Sequence, residues 1–272
     1  MDVQGHRGAR GHLPENTLPA FAKALELGVT TLELDCGVTQ DGAVVIHHDR
    51  RLNPDTARGP DGKWVQAPAP AIHSLAYEEL RHYDVGRIRP GSEYAKRFPA
   101  QTAVDGARIP RLDQLFALVH KNRNATVRFN IETKISADAP QDTLPPEPFA
   151  AALIAEIRKA GVAPRTTVQS FDWRTLKVVE REAPEIATVY LTEAKDSDPA
   201  RVHAAGGRIW SPDFRALSEN TIAQAKAMKI KIITWTVNQP ADIARMIDWQ
   251  VDGIISDYPD RVFACLRSPK RC

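Results

Sequence analysis

The stretch DVQGHRGARGHLPENTLPAFAKALELGVTTLELDC, residues 2–36, contains the pattern that decides the fold. Residues 2–5 form a short predicted strand, and residues 15–27 carry apolar side chains at helical spacing before Gly28. A second strand is predicted from Thr31 to Cys36, because leucines alternate there with acids. The order of strand, helix and strand predicts the start of a parallel sheet.

Strand and helix patterns keep alternating along the chain after an irregular segment at about residues 50–108. Counted with a final short helix at residues 259–266, they give eight strand and helix pairs. Eight pairs over this length fit a closed TIM (β/α)8 barrel, which we predict as a single domain spanning residues 1–272. The segment at residues 50–108 is predicted to be a long inserted loop region after the second strand, with one short helix at residues 75–81.

Composition argues against two classes of protein. The chain is 43% hydrophobic and 26% charged with a net charge of +2, and it has no basic stripe interleaved with aromatic residues. No run approaches the ~18 apolar residues of a membrane span. We therefore expect no nucleic-acid partner and no membrane span.

The three cysteines lack metal-binding spacing such as Cys-x-x-Cys. Cys36 falls on the outward face of its strand and is expected in the core. Cys265 and Cys272 are close enough in sequence to bridge in an oxidising compartment. Because the chain starts directly at its first strand, as an exported domain does after its signal is removed, we expect a periplasmic or secreted protein, with the cytoplasm as the alternative.

Acidic side chains gather at the predicted carboxyl ends of strands, where barrel enzymes place their chemistry. Strand alternation puts Glu33 and Asp35 on one inner face, and the same parity adds Glu132 and Lys134. Three carboxylates in one barrel mouth repel one another unless a cation intervenes, and oxygen ligands suit Mg²⁺ or Ca²⁺. The alternatives are a solvated strand face and a structural salt bridge between Glu132 and Lys134.

Seven short motifs occur in a fixed order along the chain. They are His6-Arg7-Gly8, Glu15-Asn16-Thr17, Glu33-x-Asp35, His48-Asp49-x-x-Leu52, Glu132-x-Lys134, Trp235-Thr236-Val237-Asn238 and Ser256-Asp257-Tyr258-Pro259. In order and spacing they resemble the glycerophosphodiester phosphodiesterase family from Gly5 to about Pro259. Two departures are the additional His47 before the His-Asp pair and the long segment after it.

The resemblance implies a metal-dependent phosphodiesterase that hydrolyses glycerophosphodiesters to glycerol 3-phosphate and an alcohol. It assigns the acid and the base to His6 and His48. His48 is favoured over His47 because Asp49 and Leu52 follow His48 at the spacing of the family. In the family mechanism, one histidine deprotonates the glycerol 2-hydroxyl, the other protonates the leaving alcohol, and a cyclic phosphate then opens with water.

The resemblance also assigns the other charged side chains of the site. One divalent metal ion, Mg²⁺ or Ca²⁺, is expected to bind Glu33, Asp35 and Glu132. Arg7 and Lys134 are expected to bind the substrate phosphate, since a guanidinium can grip it with two hydrogen bonds.

Three aromatic residues are candidates for lining the pocket of the alcohol, namely Phe171, Trp210 and Trp235. Simple packing is the alternative for each of them. Asp257 is expected to hold its loop rather than take part in the chemistry, and Glu15 is expected to be a helix-start residue.

Two other functions stay open. A lysophospholipase D-like activity on lysophospholipids would use the segment from Arg81 to Arg111, which holds six arginines and one lysine against three acids, as a basic lid. An inert solvated insertion is the alternative for this segment. A non-catalytic phosphate-ester binding protein is the third function, but a binder has no need of the pair His6 and His48.

Overall fold

Parallel strands form a closed barrel in the computed structural model, which describes residues 1–268 and 272. The strands in these residues are β1 (Asp2–Gly5), β2 (Thr31–Val38), β3 (Val44–Ile46), β4 (Arg128–Thr133), β5 (Thr166–Ser170), β6 (Ala187–Thr192), β7 (Ile209–Pro212), β8 (Lys231–Thr234) and β9 (Gly253–Ser256). Eight of them make the barrel, because β1 pairs with both β2 and β9, while β3 lies outside it and runs antiparallel to β2. The predicted TIM barrel is confirmed.

Helices connect the barrel strands and cover the barrel. In the described residues they are α1 (Leu18–Leu27), α2 (Tyr77–Leu80), α3 (Glu93–Arg97), α4 (Leu112–Lys121), α5 (Pro146–Lys159), α6 (Trp173–Glu182), α7 (Pro199–Ala204), α8 (Glu219–Ala227), α9 (Pro240–Asp248) and α10 (Pro259–Arg267). None of these helices is both long and apolar enough to cross a membrane. The first helix begins three residues later than predicted, because Thr17 caps it by accepting a hydrogen bond from the Ala20 amide.

The segment between β3 and α4 is ordered around a small apolar cluster of its own. Leu52, Leu80 and Ile109 are its most deeply buried members apart from Val45 of β3 and Ala57. The segment contains α2, close to the predicted helix at residues 75–81, and α3, which was not predicted. Ser92 caps α3 by accepting a hydrogen bond from the Ala95 amide. The segment therefore has a packed core and a capped helix of its own.

The three cysteines lie where the sequence analysis expects them, one in the core and two close enough to bridge. Cys36 is buried in the main core and is a free thiol. Cys265 of α10 forms a disulfide with Cys272, at a Cα separation of 5.4 Å. This bridge ties the residue at position 272 to the last helix of the barrel.

Strand register brings distant residues together at the carboxyl end of the barrel. Asp35 of β2 lies opposite Glu132 of β4. Gly5 lies opposite Ser256, so the residues that follow them, His6 and Asp257, leave neighbouring strands together. The predicted site residues from β1, β2 and β4 therefore meet at one edge of the sheet.

Candidate active site

Three acids from β2 and β4 lie together at the bottom of the barrel mouth. Glu33, Asp35 and Glu132 each place a carboxylate oxygen within 4.8 Å of the others, and all three side chains are buried. Burial and the charge of Asp35 raise the pKa of Glu33 well above its usual range. Burial also raises the pKa of Glu132 to about 7, although Lys134 opposes the shift. The crowding of buried carboxylates is the electrostatic condition that a divalent cation relieves, so this acid triad could hold one.

Two cations border the triad. Lys134 Nζ lies 2.7 Å from Glu132 Oε1 and 3.3 Å from Asp35 Oδ1, so the salt bridge considered as an alternative is present beside the acid cluster. Arg7 Nε lies 3.2 Å from Asp35 Oδ2. Burial by itself would raise the pKa of Asp35, but Lys134 and Arg7 together hold that pKa well below its usual range. Asp35 therefore stays ionised next to the more easily protonated Glu33.

His6 is held by a carboxylate from the last barrel strand. His6 Nδ1 lies 2.7 Å from Asp257 Oδ1 and 3.1 Å from Arg10 Nη2. A carboxylate only accepts and a guanidinium only donates, so Nδ1 can satisfy one of the two contacts; the contact with Asp257 is the shorter, and we assign Nδ1 as its donor. Nε2 is therefore the nitrogen left without a proton in the neutral ring, and it lies 3.9 Å from Glu33 Oε2. Burial and the charge of Arg10 lower the pKa of His6 to about 4, against the opposing charge of Asp257.

Asp257 also binds Arg10 and Asn238. Arg10 Nε donates to Asp257 Oδ1 at 2.7 Å, and Asn238 Nδ2 donates to Oδ2 at 2.7 Å. Burial would raise the pKa of Asp257, but Arg10 and His6 hold it well below its usual range. The expectation that Asp257 only holds its loop was too narrow, since its carboxylate fixes the ring of His6.

The doubled histidine separates into two different environments. His48 Nδ1 lies 2.7 Å from Asp49 Oδ1, and Asn53 donates to the other oxygen of Asp49. Burial, Arg7 and Lys134 lower the pKa of His48 to about 4. His47 is more deeply buried and donates from Nδ1 to the backbone oxygen of Asp49 at 2.8 Å.

The cleft above the triad has two lobes. The lobe that we name the His6 lobe has a volume of about 510 Å³ and includes His6, Arg7 and Glu33 in its wall. The lobe that we name the Arg50 lobe has a volume of about 700 Å³ and includes Arg50 and the loop at residues 135–138. The two lobes share the wall residues His48, Asp49, Glu132, Lys134, Phe171 and Glu193. The predicted catalytic and phosphate residues thus line one cleft together with Glu33 and Glu132, while Asp35 is buried and lines neither lobe. His48 lies where the lobes meet, whereas His47 lines a void of about 10 Å³.

Comparison with known proteins identifies the family. Residues 6–261 match the sequence model of the Glycerophosphoryl diester phosphodiesterase family. The chain belongs to this family. A glycerophosphodiester phosphodiesterase of Bacillus subtilis (strain 168) is 29% identical over 271 residues, which cover 94% of this chain and 83% of that protein. The predicted enzyme class, glycerophosphodiester phosphodiesterase, is confirmed.

Solved structures of the family share the barrel. A crystal structure from Silicibacter pomeroyi DSS-3, which bears the name of the same family, is 35% identical with a TM-score of 0.94 and covers 99% of this chain and 94% of its own. A phosphodiesterase of Oleispira antarctica, solved in complex with the product sn-glycerol-3-phosphate, has a TM-score of 0.77 at 23% identity and covers 98% of this chain and 97% of its own. At 23% identity, the similarity to the Oleispira antarctica structure shows that the fold is shared.

The three predicted aromatic residues differ in position within this phosphodiesterase. Phe171 is 40% exposed at the rim of the cleft and packs edge to face on Trp235, with ring centroids 5.5 Å apart. The prediction for Trp210 was wrong, because its side chain is fully buried in the core and donates from Nε1 to Thr192 Oγ1. Its strand continues to Pro212, so Trp210 lies below the strand end, opposite Tyr190 in the same apolar cluster.

Sequence reasoning missed a set of residues that support the phosphodiesterase site. Glu15 is not a helix-start residue, since α1 begins at Leu18; its carboxylate lies 2.6 Å from Arg7 Nη1 and accepts a hydrogen bond from Tyr94. Burial would raise the pKa of Glu15, but Arg7 and Arg10 lower it to about 2. The sequence could have indicated Arg10, because it follows His6 by four residues in the same glycine-rich loop. It could not have indicated Tyr94, because Tyr94 belongs to α3, which no periodic pattern predicts.

Proposed function

We propose that this phosphodiesterase hydrolyses glycerophosphodiesters to glycerol 3-phosphate and an alcohol in a metal-dependent reaction, with His6 and His48 as the acid and base. The observation that carries the proposal is the matched anchoring of the two rings. Each Nδ1 lies 2.7 Å from a carboxylate oxygen, of Asp257 for His6 and of Asp49 for His48. Each ring therefore keeps Nε2 for proton transfer in the cleft.

The acid triad is the proposed metal site. Glu33, Asp35 and Glu132 offer three oxygen ligands within 4.8 Å of one another, which suits Mg²⁺ or Ca²⁺. When bound, the ion supplies Lewis-acid polarisation of the phosphate. Burial and then the charge of Asp35 raise the pKa of Glu33, and a bound cation would offset the repulsion between the two carboxylates.

Arg7 and Lys134 are the proposed phosphate ligands. Arg7 is buried and Lys134 is partly buried beside Asp35, and together they place two positive charges next to the three carboxylates of the triad. Carboxylates committed to a cation compete less for these two side chains, which leaves their donors for phosphate oxygens. Lys134 directly follows β4, and its Nζ lies 2.7 Å from the triad residue Glu132, so it places its charge next to the same phosphate.

Proton transfer then follows from the protonation states of the two rings. With pKa values lowered to about 4, both imidazoles are neutral at pH 7, so either can accept the proton of the glycerol 2-hydroxyl. That oxygen attacks phosphorus, the bond from phosphorus to the leaving oxygen breaks, and the other histidine donates a proton to that oxygen. Water opens the cyclic phosphate and returns both rings to their initial state. The negative phosphate beside Arg7 and Lys134 offsets the charges that lower the pKa of His48, which makes a protonated ring accessible in the substrate complex.

A product assay on chelator-stripped protein tests the proposal. Glycerophosphocholine and lysophosphatidylcholine are supplied side by side, with Mg²⁺ or Ca²⁺ added back, and glycerol 3-phosphate and free choline are measured. The proposal expects choline and glycerol 3-phosphate from glycerophosphocholine only after metal is restored. Faster cleavage of lysophosphatidylcholine would favour the lysophospholipase D-like function, and binding without any product would favour a non-catalytic binder.

We also propose a periplasmic or secreted location. The Cys265–Cys272 disulfide supports it, because such bonds persist in oxidising compartments. Protein isolated from the native cell without reductant is expected to contain one free thiol, that of Cys36, after denaturation. Three free thiols, or recovery of the protein with the cytoplasmic fraction, would contradict this location.

A further inference from the structure

Arg50 is in no salt bridge with any of the described residues. Its Nε atom is buried and has no hydrogen-bond partner there, and its guanidinium forms no ion pair with any residue among 1–268 and 272. A buried donor without a partner is unfavourable, so native structures rarely keep one that has no role. The side chain lies half-buried in the wall of the Arg50 lobe, two residues after His48.

The other cations of this lobe are all paired. Arg51 Nη2 lies 2.6 Å from Asp142, and Arg174 Nη2 lies 2.6 Å from Asp172. Lys134 is held by Glu132. Among the arginines and lysines that line this lobe in the described part of the chain, Arg50 is therefore the one without an acidic partner.

The position of the lobe indicates which part of a substrate meets Arg50. The His6 lobe contains Arg7 and Glu33, which bind the phosphate and metal in the proposed function. The Arg50 lobe has a volume of about 700 Å³ and shares His48 and Glu132 with the His6 lobe. A glycerophosphoryl group in the His6 lobe would direct its alcohol substituent into the Arg50 lobe.

We infer that the Arg50 lobe binds the leaving alcohol and selects alcohols that carry an anionic group, a carboxylate or a phosphate, through an ion pair with Arg50. This inference rests on the proposed function. A guanidinium suits either anion, because its planar donors match two oxygens at once. Asp138 and Glu193 line the same lobe and would favour a cation instead, so a cationic alcohol is the competing substrate in the test.

The test compares kcat/KM for four glycerophosphodiesters whose leaving alcohols are glycerol, choline, serine and glycerol phosphate. These alcohols are neutral, cationic, zwitterionic with a carboxylate, and anionic. A charge-assisted hydrogen bond predicts that the serine and glycerol phosphate diesters exceed the glycerol diester by about 10- to 100-fold. Arg50→Gln is expected to remove most of this preference and Arg50→Lys to retain part of it.

Arg174→Gln is the matched control, since it removes an arginine of the same lobe that is already paired with Asp172. It is expected to keep the preference ratio. A uniform loss on all four diesters in Arg50→Gln would show that Arg50 acts on the reacting phosphate and would overturn the inference. A preference for the choline diester, or no preference, would overturn it as well, while failure to cleave any of the four would reject the proposed function itself.

Discussion

Replacing Asp257 by asparagine tests whether its carboxylate holds His6 for catalysis. Asp257 Oδ1 lies 2.7 Å from both His6 Nδ1 and Arg10 Nε. Asp257→Asn keeps the size of the side chain and removes its charge. The new amide can donate to His6 Nδ1, which a carboxylate cannot, and this favours the tautomer with the proton on Nε2. Nε2 then cannot accept a proton in the cleft.

Two losses are expected from this single change. Arg10 is 4% exposed and would lose its main carboxylate partner while keeping its contacts with Tyr94 and Glu15, so the free energy of unfolding should fall by at most about 3–5 kcal/mol. Loss of a correctly oriented acid or base costs roughly 10²- to 10⁴-fold in turnover. The pKa of His6 should also fall further, because the charge of Asp257 raises it in the wild type.

The assay measures kcat, KM and the pH profile at a temperature where circular dichroism shows the variant folded. Asp260→Asn is the matched control, since Asp260 lies 2.7 Å from His12 Nε2 in a similar pair outside the cleft walls. The control should lose little activity and leave the profile unchanged. A folded Asp257→Asn variant with wild-type kcat/KM and an unshifted profile would refute the role of Asp257 in positioning His6.

Four further predictions concern the same site. His48→Ala should lose roughly 10²- to 10⁴-fold in turnover and His47→Ala much less; the reverse order in a steady-state assay would reassign the base or acid to His47. Variants that neutralise one acid of the triad should keep the fold but bind metal more weakly in calorimetric titration and have lower activity; they are Glu33→Gln, Asp35→Asn and Glu132→Gln. Full activity of the wild type in excess chelator would reject the metal role. A 2-deoxy glycerophosphodiester should bind near normally and turn over extremely slowly, because it lacks the tethered hydroxyl, which provides an effective molarity of ~10⁵ to 10⁸ M. Cleavage of this substrate at the normal rate would mean that water attacks phosphorus directly. The pKa of His6 is about 4 in the folded protein against an ordinary value of 6.5, so the unfolded chain binds more protons between these two pH values. The contribution of His6 to stability is therefore lost as pH falls from 6.5 towards 4. In urea unfolding of the metal-free protein, the free energy of unfolding should differ less between pH 7 and pH 5 for His6→Gln than for the wild type.

The barrel could be predicted from the sequence because each of its strands and helices is encoded by residues that are close together in the chain. Helical and alternating spacing define each element within a few residues, and α6 has the bounds that its spacing predicts, Trp173–Glu182. The acid triad was predictable for the same reason, since strand parity alone places Glu33, Asp35 and Glu132 on inner faces. A helix as short as α3 was missed because five residues do not complete two turns of a periodic pattern.

The contacts that orient the site residues could not be predicted in this way. Asp257 binds Arg10 across 247 positions of sequence, and only the pairing of β1 with β9 brings them together. The position of Trp210 depended on where β7 ends, and its pattern was read as ending two residues too early. Charged residues near strand ends indicate that a site exists, whereas barrel closure decides which of them meet.

The long segment between β3 and α4 is connected to the site by a series of hydrogen bonds and ion pairs. Tyr94 of α3 donates to Glu15, and Glu15 pairs with Arg7, the proposed phosphate ligand. Arg10 also donates to Tyr94, at 3.2 Å, while it holds Asp257 beside His6. Movement of α3 would therefore disturb the proposed phosphate ligand and the support of His6 together. This shared dependence gives the segment a physical reason to be ordered against the barrel mouth, in contrast to an inert solvated insertion.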